Sequence, residues 1–300
     1  MGLQQSGPIP GGWPLAWFAE LPADAPPARL VVLVSALLLV GIAALITLIV
    51  HFRPRTGQWA RQWARLRRRP WYLHDVGWLL AVLLCLQAAA VLALSGFRRL
   101  LSWEADHLPF VWITLHSLAL HGACLPLVWV LLRRKGRSWI AAFCPTPLSG
   151  GHAIAQGIGL YLAALPPFVL ITALYHAGLQ AVGYTPMPQD VVQLFALLEY
   201  HWMRVYFVIL AVIVAPIAEE ILFRGILLPA AAKWCRAAGA IAITTILFAL
   251  LHLHLPSLIP LAFLSLVLSL AYVYTGSIIV PIVMHMIFNA ISLLTLTWLG

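Results

Sequence analysis

Eight apolar segments, each long enough to cross a lipid bilayer, dominate this chain. They lie at about 30–52, 76–97, 108–132, 151–175, 205–232, 237–255, 257–274 and 278–298. About 20 apolar residues span the hydrocarbon core as a helix. Because lipid offers no hydrogen-bonding partner, a single spanning segment must satisfy its backbone internally and therefore forms a helix. The sequence predicts an all-α fold, a polytopic transmembrane bundle of about eight helices with no internal repeat.

The composition agrees with a membrane protein. Hydrophobic residues make up 63% of the chain and charged residues only 9%, against about 25% charged residues in soluble domains. The net charge of +9 comes from basic residues in short clusters between apolar segments, so it does not indicate a nucleic-acid partner. The four cysteines show no CxxC spacing, so neither a disulfide framework nor a cysteine metal site is predicted.

The basic residues also predict the orientation of the helices. They gather in three of the connections, and such clusters stay on the cytoplasmic side of a membrane. Both chain ends would then be extracytoplasmic, including the segment 1–28, which lacks the cationic start of a secretory signal. The Ala/Leu/Arg/Trp-rich composition suggests a bacterial cytoplasmic (inner) membrane. The clustered residues are Arg53, Arg55, Arg61, Arg65, Arg67, Arg68, Arg69, Arg133, Arg134, Lys135, Arg137, Lys233 and Arg236, with Arg224 leading into the last cluster.

Two adjacent glutamates interrupt the fifth apolar segment. Glu219 and Glu220 are followed by Arg224, in a chain with only nine acidic residues. A charged side chain at membrane depth costs about 2.5 kcal/mol or more, so such groups usually mark a pathway, a relay or an active site. Glu220 and Arg224 are four residues apart and share a helix face, so they can pair. Glu219 lies ~100° away around the helix and is free to face a cavity as a general base.

Polar residues from two other helices can reach the level of these glutamates. If segments five and six form a hairpin that turns near Cys235, then Glu219 and His252 both lie about 25 Å from the turn. His285 and Asn289 share one face of the eighth helix. We expect four polar residue types from three helices to converge at one level inside the bundle.

Neighbouring residues have less specific interpretations. Pro216 and Gly225 flank the glutamates and are able to bend or open the helix there. His254 lies ~200° from His252 on a helix, so the two cannot face one site. The remaining membrane histidines are interpreted as structural hydrogen-bonding residues; they are His116, His121, His152 and His176.

The converging side chains are suited to activating water. A glutamate can take a proton from water, a histidine can orient that water, and Asn289 with a second histidine can polarise a carbonyl. Alternatively, Glu219, His252 and His285 form a zinc site with one open position, although no HExxH motif is present. A proton-coupled transporter is a third alternative, but no pair of broken helices in matching halves supports it.

Three short motifs contain these residues. They are Glu219-Glu220-Ile-Leu-Phe-Arg224, Phe248-x-x-x-His252 and His285-x-x-x-Asn289. In order and spacing they resemble the EExxxR, FxxxH and HxxxN motifs of the CAAX-protease and bacteriocin-processing family, whose members are glutamic-type intramembrane endopeptidases. The resemblance covers about residues 205–295, and the helices before it show none.

The resemblance implies a role for each motif residue. Glu219 would be the general base and His252 its water-orienting partner, while His285 and Asn289 would stabilise the oxyanion. The supporting residues would be Glu220, Arg224 and Phe248. Eukaryotic members of the family remove the last three residues of prenylated CAAX proteins. Bacterial members are linked to peptide maturation, bacteriocin immunity or trimming of C-terminal sorting anchors.

The sequence thus predicts three regions and one leading function. Segment 1–28 is extracytoplasmic, 29–190 holds the first four helices, and 191–300 is the protease core. The predicted protein cleaves a peptide bond of a membrane-embedded or lipid-linked peptide or protein, in the lipid bilayer and without a cofactor. A zinc-dependent protease and a non-catalytic binding protein, acting in immunity or regulation, are the alternatives. Neither the substrate nor the oligomeric state follows from the sequence.

Overall fold

Helices make up nearly all of the chain that the computed structural model describes, namely residues 28–51, 57–101, 108–143, 149–187, 189, 195 and 200–297. In chain order they are α1 Ala28–His51, α2 Gln58–Arg67, α3 Leu73–Leu101, α4 108–134, α5 Trp139–Phe143, α6 Gly150–Ala181, α7 His201–Ala232, α8 Ala237–Leu251, α9 Leu258–Thr275 and α10 Ile279–Thr297. No strand occurs in these ranges, which confirms the predicted all-α class.

Each predicted apolar segment corresponds to one helix. In the described ranges, five helices are long and apolar enough to cross a membrane; they contain Leu73–Gly96, Val111–Arg134, Gly150–Ala181, His201–Ala232 and Leu255–Thr275. Three shorter apolar helices complete the set, at Val34–Val50, Ala237–Leu251 and Ile279–Leu294. The prediction of a polytopic helical membrane bundle is therefore confirmed.

Two short helices, α2 and α5, were not predicted. The arginine-rich run forms α2, which buries Leu66, and the chain then turns at the buried Arg69. The guanidinium of Arg69 donates hydrogen bonds to the carbonyl oxygens of Ala141 and Ala142, at 3.3 and 2.6 Å. One arginine of the predicted orientation signal therefore ties the turn after α2 to α5.

Three stretches of α4 and α7 are π-helical, with bonds that span five residues, as from the Ala123 N–H to the Leu118 carbonyl. Each stretch contains the carbonyl four residues before a proline, which has no N–H to donate to it. The missing bond leaves the helix free to widen at that turn. The stretches and their prolines are Leu118–Gly122 with Pro126, Leu210–Val214 with Pro216, and Ile221–Leu227 with Pro229.

The wide turns and the predicted hairpin determine where the glutamates lie. Two of the π-helical stretches enclose the α-helical turns Ala215–Glu220, so the expected opening of this helix is confirmed. The hairpin is confirmed too, because α7 ends at Ala232 and α8 begins at Ala237. From the N-terminal half, α4 packs against α7, where the Cys124 thiol lies 3.8 Å from the Ala218 carbonyl oxygen.

Several predictions concern parts of the chain outside the described residues or properties that the fold does not test. The segment 1–28, apart from its last residue, lies outside the described ranges, as do Arg53 and Arg55. The division into three regions and the orientation of the helices across the membrane stay predictions.

Candidate active site

Glu220 and Arg224 form the buried ion pair that their spacing predicts. Arg224 Nη1 donates to Glu220 Oε1 at 2.8 Å, and both side chains are completely buried. On α9, Ser265 accepts from Arg224 Nη2 through its carbonyl and hydroxyl oxygens, at 3.0 and 2.7 Å, and Ser269 Oγ lies 3.4 Å from Nε. A buried charge is tolerated when it is paired and its remaining donors are satisfied, and α9 supplies those acceptors.

Phe248 packs against the ion pair from α8. Its ring centroid lies 4.6 Å from Arg224 Cζ, a cation–π contact. The same ring makes an edge contact with Phe223, with the centroids 5.0 Å apart, and lies 4.8 Å from the His252 ring and 5.8 Å from the His285 ring. The phenylalanine of the FxxxH motif thus contacts the arginine and both motif histidines.

His285 on α10 connects the two glutamates. Its Nδ1 lies 2.8 Å from Glu220 Oε1, and its Nε2 lies 3.9 Å from Glu219 Oε2. Because the ionised Glu220 carboxylate only accepts hydrogen bonds, Nδ1 carries the hydrogen in this contact. That bond fixes the orientation of the ring and directs Nε2 toward Glu219.

Glu219 is less completely buried than Glu220. Its side chain keeps 19% exposure, and its Oε1 lies 3.5 Å from Nε2 of His121. Its Oε2 is buried and has no hydrogen-bond partner among the described residues. Arg224 pairs with the neighbouring carboxylate, so Glu219 is the carboxylate that can accept a hydrogen bond from a group entering the site.

His252 lies immediately after the last residue of α8. Its Nδ1 is 2.7 Å from the Phe248 carbonyl oxygen, which can only accept, so Nδ1 carries the hydrogen and the neutral ring keeps a lone pair on Nε2. His252 lies close enough to Glu219 that a charge on its ring would act on that carboxylate, as would a charge on His285. The end of α8 therefore brings a second hydrogen-bond acceptor close to the glutamate.

Residues 201–291 match the family model described as Rce1-like, type II CAAX prenyl endopeptidase. Over this segment the chain is similar to the CAAX-protease family. The matched range begins with α7 and ends within α10, so the Rce1-like segment contains all three predicted motifs. The resemblance inferred from those motifs is thereby confirmed. No curated protein and no solved structure matches the chain.

His121 lies at the site although it is outside the Rce1-like segment. From its sequence context His121 was interpreted as a structural hydrogen-bonding residue, yet the structure places it beside Glu219. One signal was available, because Gly122 and Pro126 follow it and favour an irregular helix, and π-helical turns are frequent at functional sites. The packing of α4 against α7 could not be predicted from the sequence, since no motif links these two helices.

Two other polar residues have hydrogen-bond partners other than the glutamates. Asn289, in the Rce1-like segment, donates from Nδ2 to the Ala211 carbonyl oxygen at 2.8 Å. The structure therefore places Asn289 against α7, where it bonds to the π-helical stretch Leu210–Val214 and not to a glutamate. Its oxyanion role stays a prediction. His254 is bonded to Ser257 Oγ at 2.8 Å and to the Met187 carbonyl at 2.9 Å, away from His252 as expected.

The alternative zinc set is not arranged as a ligand cluster. In the described part of the chain, no three or more His, Cys, Asp or Glu side chains lie in positions that could hold a metal ion. His285 instead binds Glu220 through Nδ1 and keeps 3.9 Å between its Nε2 and Glu219. The choice between a glutamic and a zinc mechanism stays a matter for direct metal analysis.

Proposed function

We propose that this protein is an intramembrane endopeptidase in which Glu219 and His252 activate water. One observation carries the proposal: within an Rce1-like segment, Glu219 Oε2 has no hydrogen-bond partner among the described residues, and the Glu219 side chain keeps 19% exposure whereas that of Glu220 is completely buried. His121 on α4, His285 on α10 and His252 at the end of α8 surround that carboxylate, while Oε1 of the adjacent Glu220 accepts from both Arg224 and His285.

The proposed reaction begins with a water molecule between Glu219 and His252. The water donates one hydrogen bond to Glu219 Oε2 and one to His252 Nε2, whose lone pair is available because Nδ1 donates to Phe248. Glu219 takes a proton as the water oxygen attacks the carbonyl carbon of the scissile bond. When the intermediate collapses, the C–N bond breaks, and Glu219 returns its proton to the departing amine.

The developing oxyanion requires hydrogen-bond donors. In the proposal they come from His285 and Asn289. The amide of Asn289 has a second hydrogen beyond the one donated to Ala211. Because Nδ1 of His285 donates to Glu220 Oε1, the ring donates from Nε2 when it carries two protons.

The substrate class follows from the position of the site and from the family. Glu219 lies within a helix apolar enough to span a membrane, so the scissile bond must enter the bundle from lipid or from its edge. The matched family is described as a prenyl endopeptidase. We therefore propose a lipid-linked or membrane-embedded peptide as substrate, cleaved in a bacterial cytoplasmic membrane.

The proposed function predicts new protein C-termini that depend on Glu219. Membrane proteomes of cells expressing the wild type or Glu219→Gln, which keeps the size but removes the base, would be compared by mass spectrometry of C-terminal peptides. We expect one or more C-termini only with the wild type. His152→Gln is the control, because His152 is exposed at the start of α6 and should leave the cleavage unchanged.

Equal C-termini with wild type and Glu219→Gln, at matched expression and membrane insertion, would contradict the proposal and favour the non-catalytic binding protein. Metal analysis of the purified active enzyme, together with its response to a chelator, separates the glutamic from the zinc mechanism. Activity that survives complete metal removal excludes the zinc alternative.

A further inference from the structure

We propose that His121 is a positioning residue that holds the Glu219 carboxylate, so that α4 contributes a side chain to the site of the Rce1-like segment. This inference rests on the proposed function, because it assigns His121 a task in aiming the general base. The family match begins at residue 201, so nothing in the match assigns a role to this histidine.

The contact is between two largely buried side chains. His121 Nε2 lies 3.5 Å from Glu219 Oε1, and the side chains are 13% and 19% exposed. The other ring nitrogen, Nδ1, is buried without a hydrogen-bond partner among the described residues. The contact of His121 is with an ionisable side chain, whereas His176 is bonded to a backbone carbonyl, that of Pro256. Contact with a carboxylate of the site is the stronger indication of a functional role.

The backbone of α4 holds His121 in this position. The residue lies in the π-helical stretch Leu118–Gly122, and one turn further on the Cys124 thiol lies 3.8 Å from the carbonyl oxygen of Ala218. Ala218 directly precedes Glu219, so α4 meets α7 at two adjacent points. A wide turn at this level is consistent with a side chain being redirected toward a functional site.

The contact with His121 gives the two oxygens of the Glu219 carboxylate different roles. With Oε1 fixed by His121, Oε2 faces His285 Nε2 at 3.9 Å and is available to accept a hydrogen bond from water. Without His121 the carboxylate can rotate about its terminal bond and present either oxygen. Small displacements of a catalytic group cost about 100-fold in rate in unfavourable cases.

The first test measures kcat and KM for a farnesylated peptide ending in a CAAX sequence, in vesicles of phosphatidylethanolamine and phosphatidylglycerol. His121→Phe keeps a ring but removes the donor, and we expect kcat to fall about 10- to 100-fold with KM unchanged. His121→Gln can place an amide N–H near the position of Nε2 and should restore most of the activity. His116→Phe, on the same helix but bonded to Gln87, is the matched control and should behave as wild type.

Wild-type kcat in His121→Phe would overturn the inference while the proposed function stands. Equal loss in His121→Phe and His121→Gln, with both variants folded, would also overturn it, because the donor would then not matter. If the wild type itself does not cleave the peptide, the proposed activity on this substrate fails, and a second measurement decides the role of His121.

That second measurement is a double-mutant cycle on thermal unfolding that needs no activity. Variants His121→Phe, Glu219→Ala and their combination would be compared in the same vesicles. Contacting residues give non-additive effects, whereas independent residues add. A Tm shift of the double variant smaller than the sum of the single shifts supports the contact, and simple additivity overturns it.

Discussion

Arg224 is the residue on which the buried charges depend. Its guanidinium contacts Glu220, Ser265 and Ser269 through hydrogen bonds and Phe248 through its face. A surface arginine would lose little free energy if one of these partners were absent. A completely buried one cannot replace a lost partner with water, so each contact matters for stability as well as for the orientation of the glutamates.

Removing this charge predicts a large loss of stability. We expect Arg224→Met to lower the free energy of unfolding by about 3–5 kcal/mol, because Glu220 would be left as an uncompensated buried charge. The double variant Glu220→Gln with Arg224→Met should regain part of this loss, since no lone charge remains. Unfolding of the purified protein in detergent, followed by circular dichroism, measures both.

Arg137→Met is the control for that experiment, because Arg137 is an exposed arginine in the connection after α4. We expect its unfolding to match the wild type. Equal destabilisation by Arg224→Met and Arg137→Met would contradict the assignment of Arg224 as the centre of the buried charge network.

At the residue scale, sequence reasoning succeeds where a contact is local. The Glu220–Arg224 pair was predictable because helix geometry alone brings residues four apart onto one face. The His285–Glu220 contact was only partly predictable. The number of residues from each turn places the histidine and the glutamates at one depth, but it does not say which glutamate each ring nitrogen contacts. His121 was missed because its contact depends on how two helices far apart in the chain pack together.

Among the elements, α7 departs most from a regular helix. Pro216 and Pro229 each leave a carbonyl without its usual donor, and the π-helical stretches Leu210–Val214 and Ile221–Leu227 compensate by widening the helix. Every widened turn rotates the residues beyond it relative to those before it. Pro216 and Gly225 predicted that the helix would open, but the amount of rotation depends on the helices packed around it.

One glycine in the second wide turn permits the close approach of α5. A Cβ atom on Gly225 would lie 2.6 Å from Phe143 Cε1, and the Phe143 ring is held between Trp71 and Trp139, with centroids 5.6 and 5.5 Å away. We expect Gly225→Ala to destabilise the protein by about 1–3 kcal/mol through this overlap, measured by thermal unfolding.

Gly159 in α6 provides the comparison. A Cβ there meets no atom within 4 Å, so Gly159→Ala should be neutral or stabilising, because alanine is the better helix former by about 1 kcal/mol. If Gly225→Ala proved as harmless as Gly159→Ala, the packing of Phe143 on α7 would be wrong. Adding Phe143→Leu to Gly225→Ala should relieve part of the overlap.

At the scale of the whole molecule, the eight apolar segments were predictable because hydrophobicity is read directly from consecutive residues. The short helices α2 and α5 were not, since neither is long enough to span a membrane and α2 is rich in arginine. Their arrangement follows from tertiary contacts such as those of Arg69 with Ala141 and Ala142. The helix set was thus predictable and its lateral packing was not.

The predicted orientation is testable with three exposed positions in loops. Single cysteines would replace Trp234, Val182 or Leu253, which are 74%, 79% and 92% exposed, in a protein without its native cysteines. With the basic clusters in the cytoplasm, a membrane-impermeant maleimide should label the cysteines at 182 and 253 in intact cells. The cysteine at 234 should react only after permeabilisation. The opposite pattern would reverse the orientation of the bundle.

Because the Glu220–Arg224 ion pair closes within one helix, it can form while α7 is still leaving the translocon. The pair then enters lipid with no net charge, which lowers the cost of inserting two ionisable residues. The helix that carries His121, α4, is synthesised before Glu219, whereas α10, which carries His285, is synthesised after α8 and α9. The order of helices along the chain therefore gives Glu219 a partner from an earlier helix and Glu220 a partner from its own helix. It also keeps the nascent protein from assembling its proposed water-activating cluster until synthesis is nearly complete.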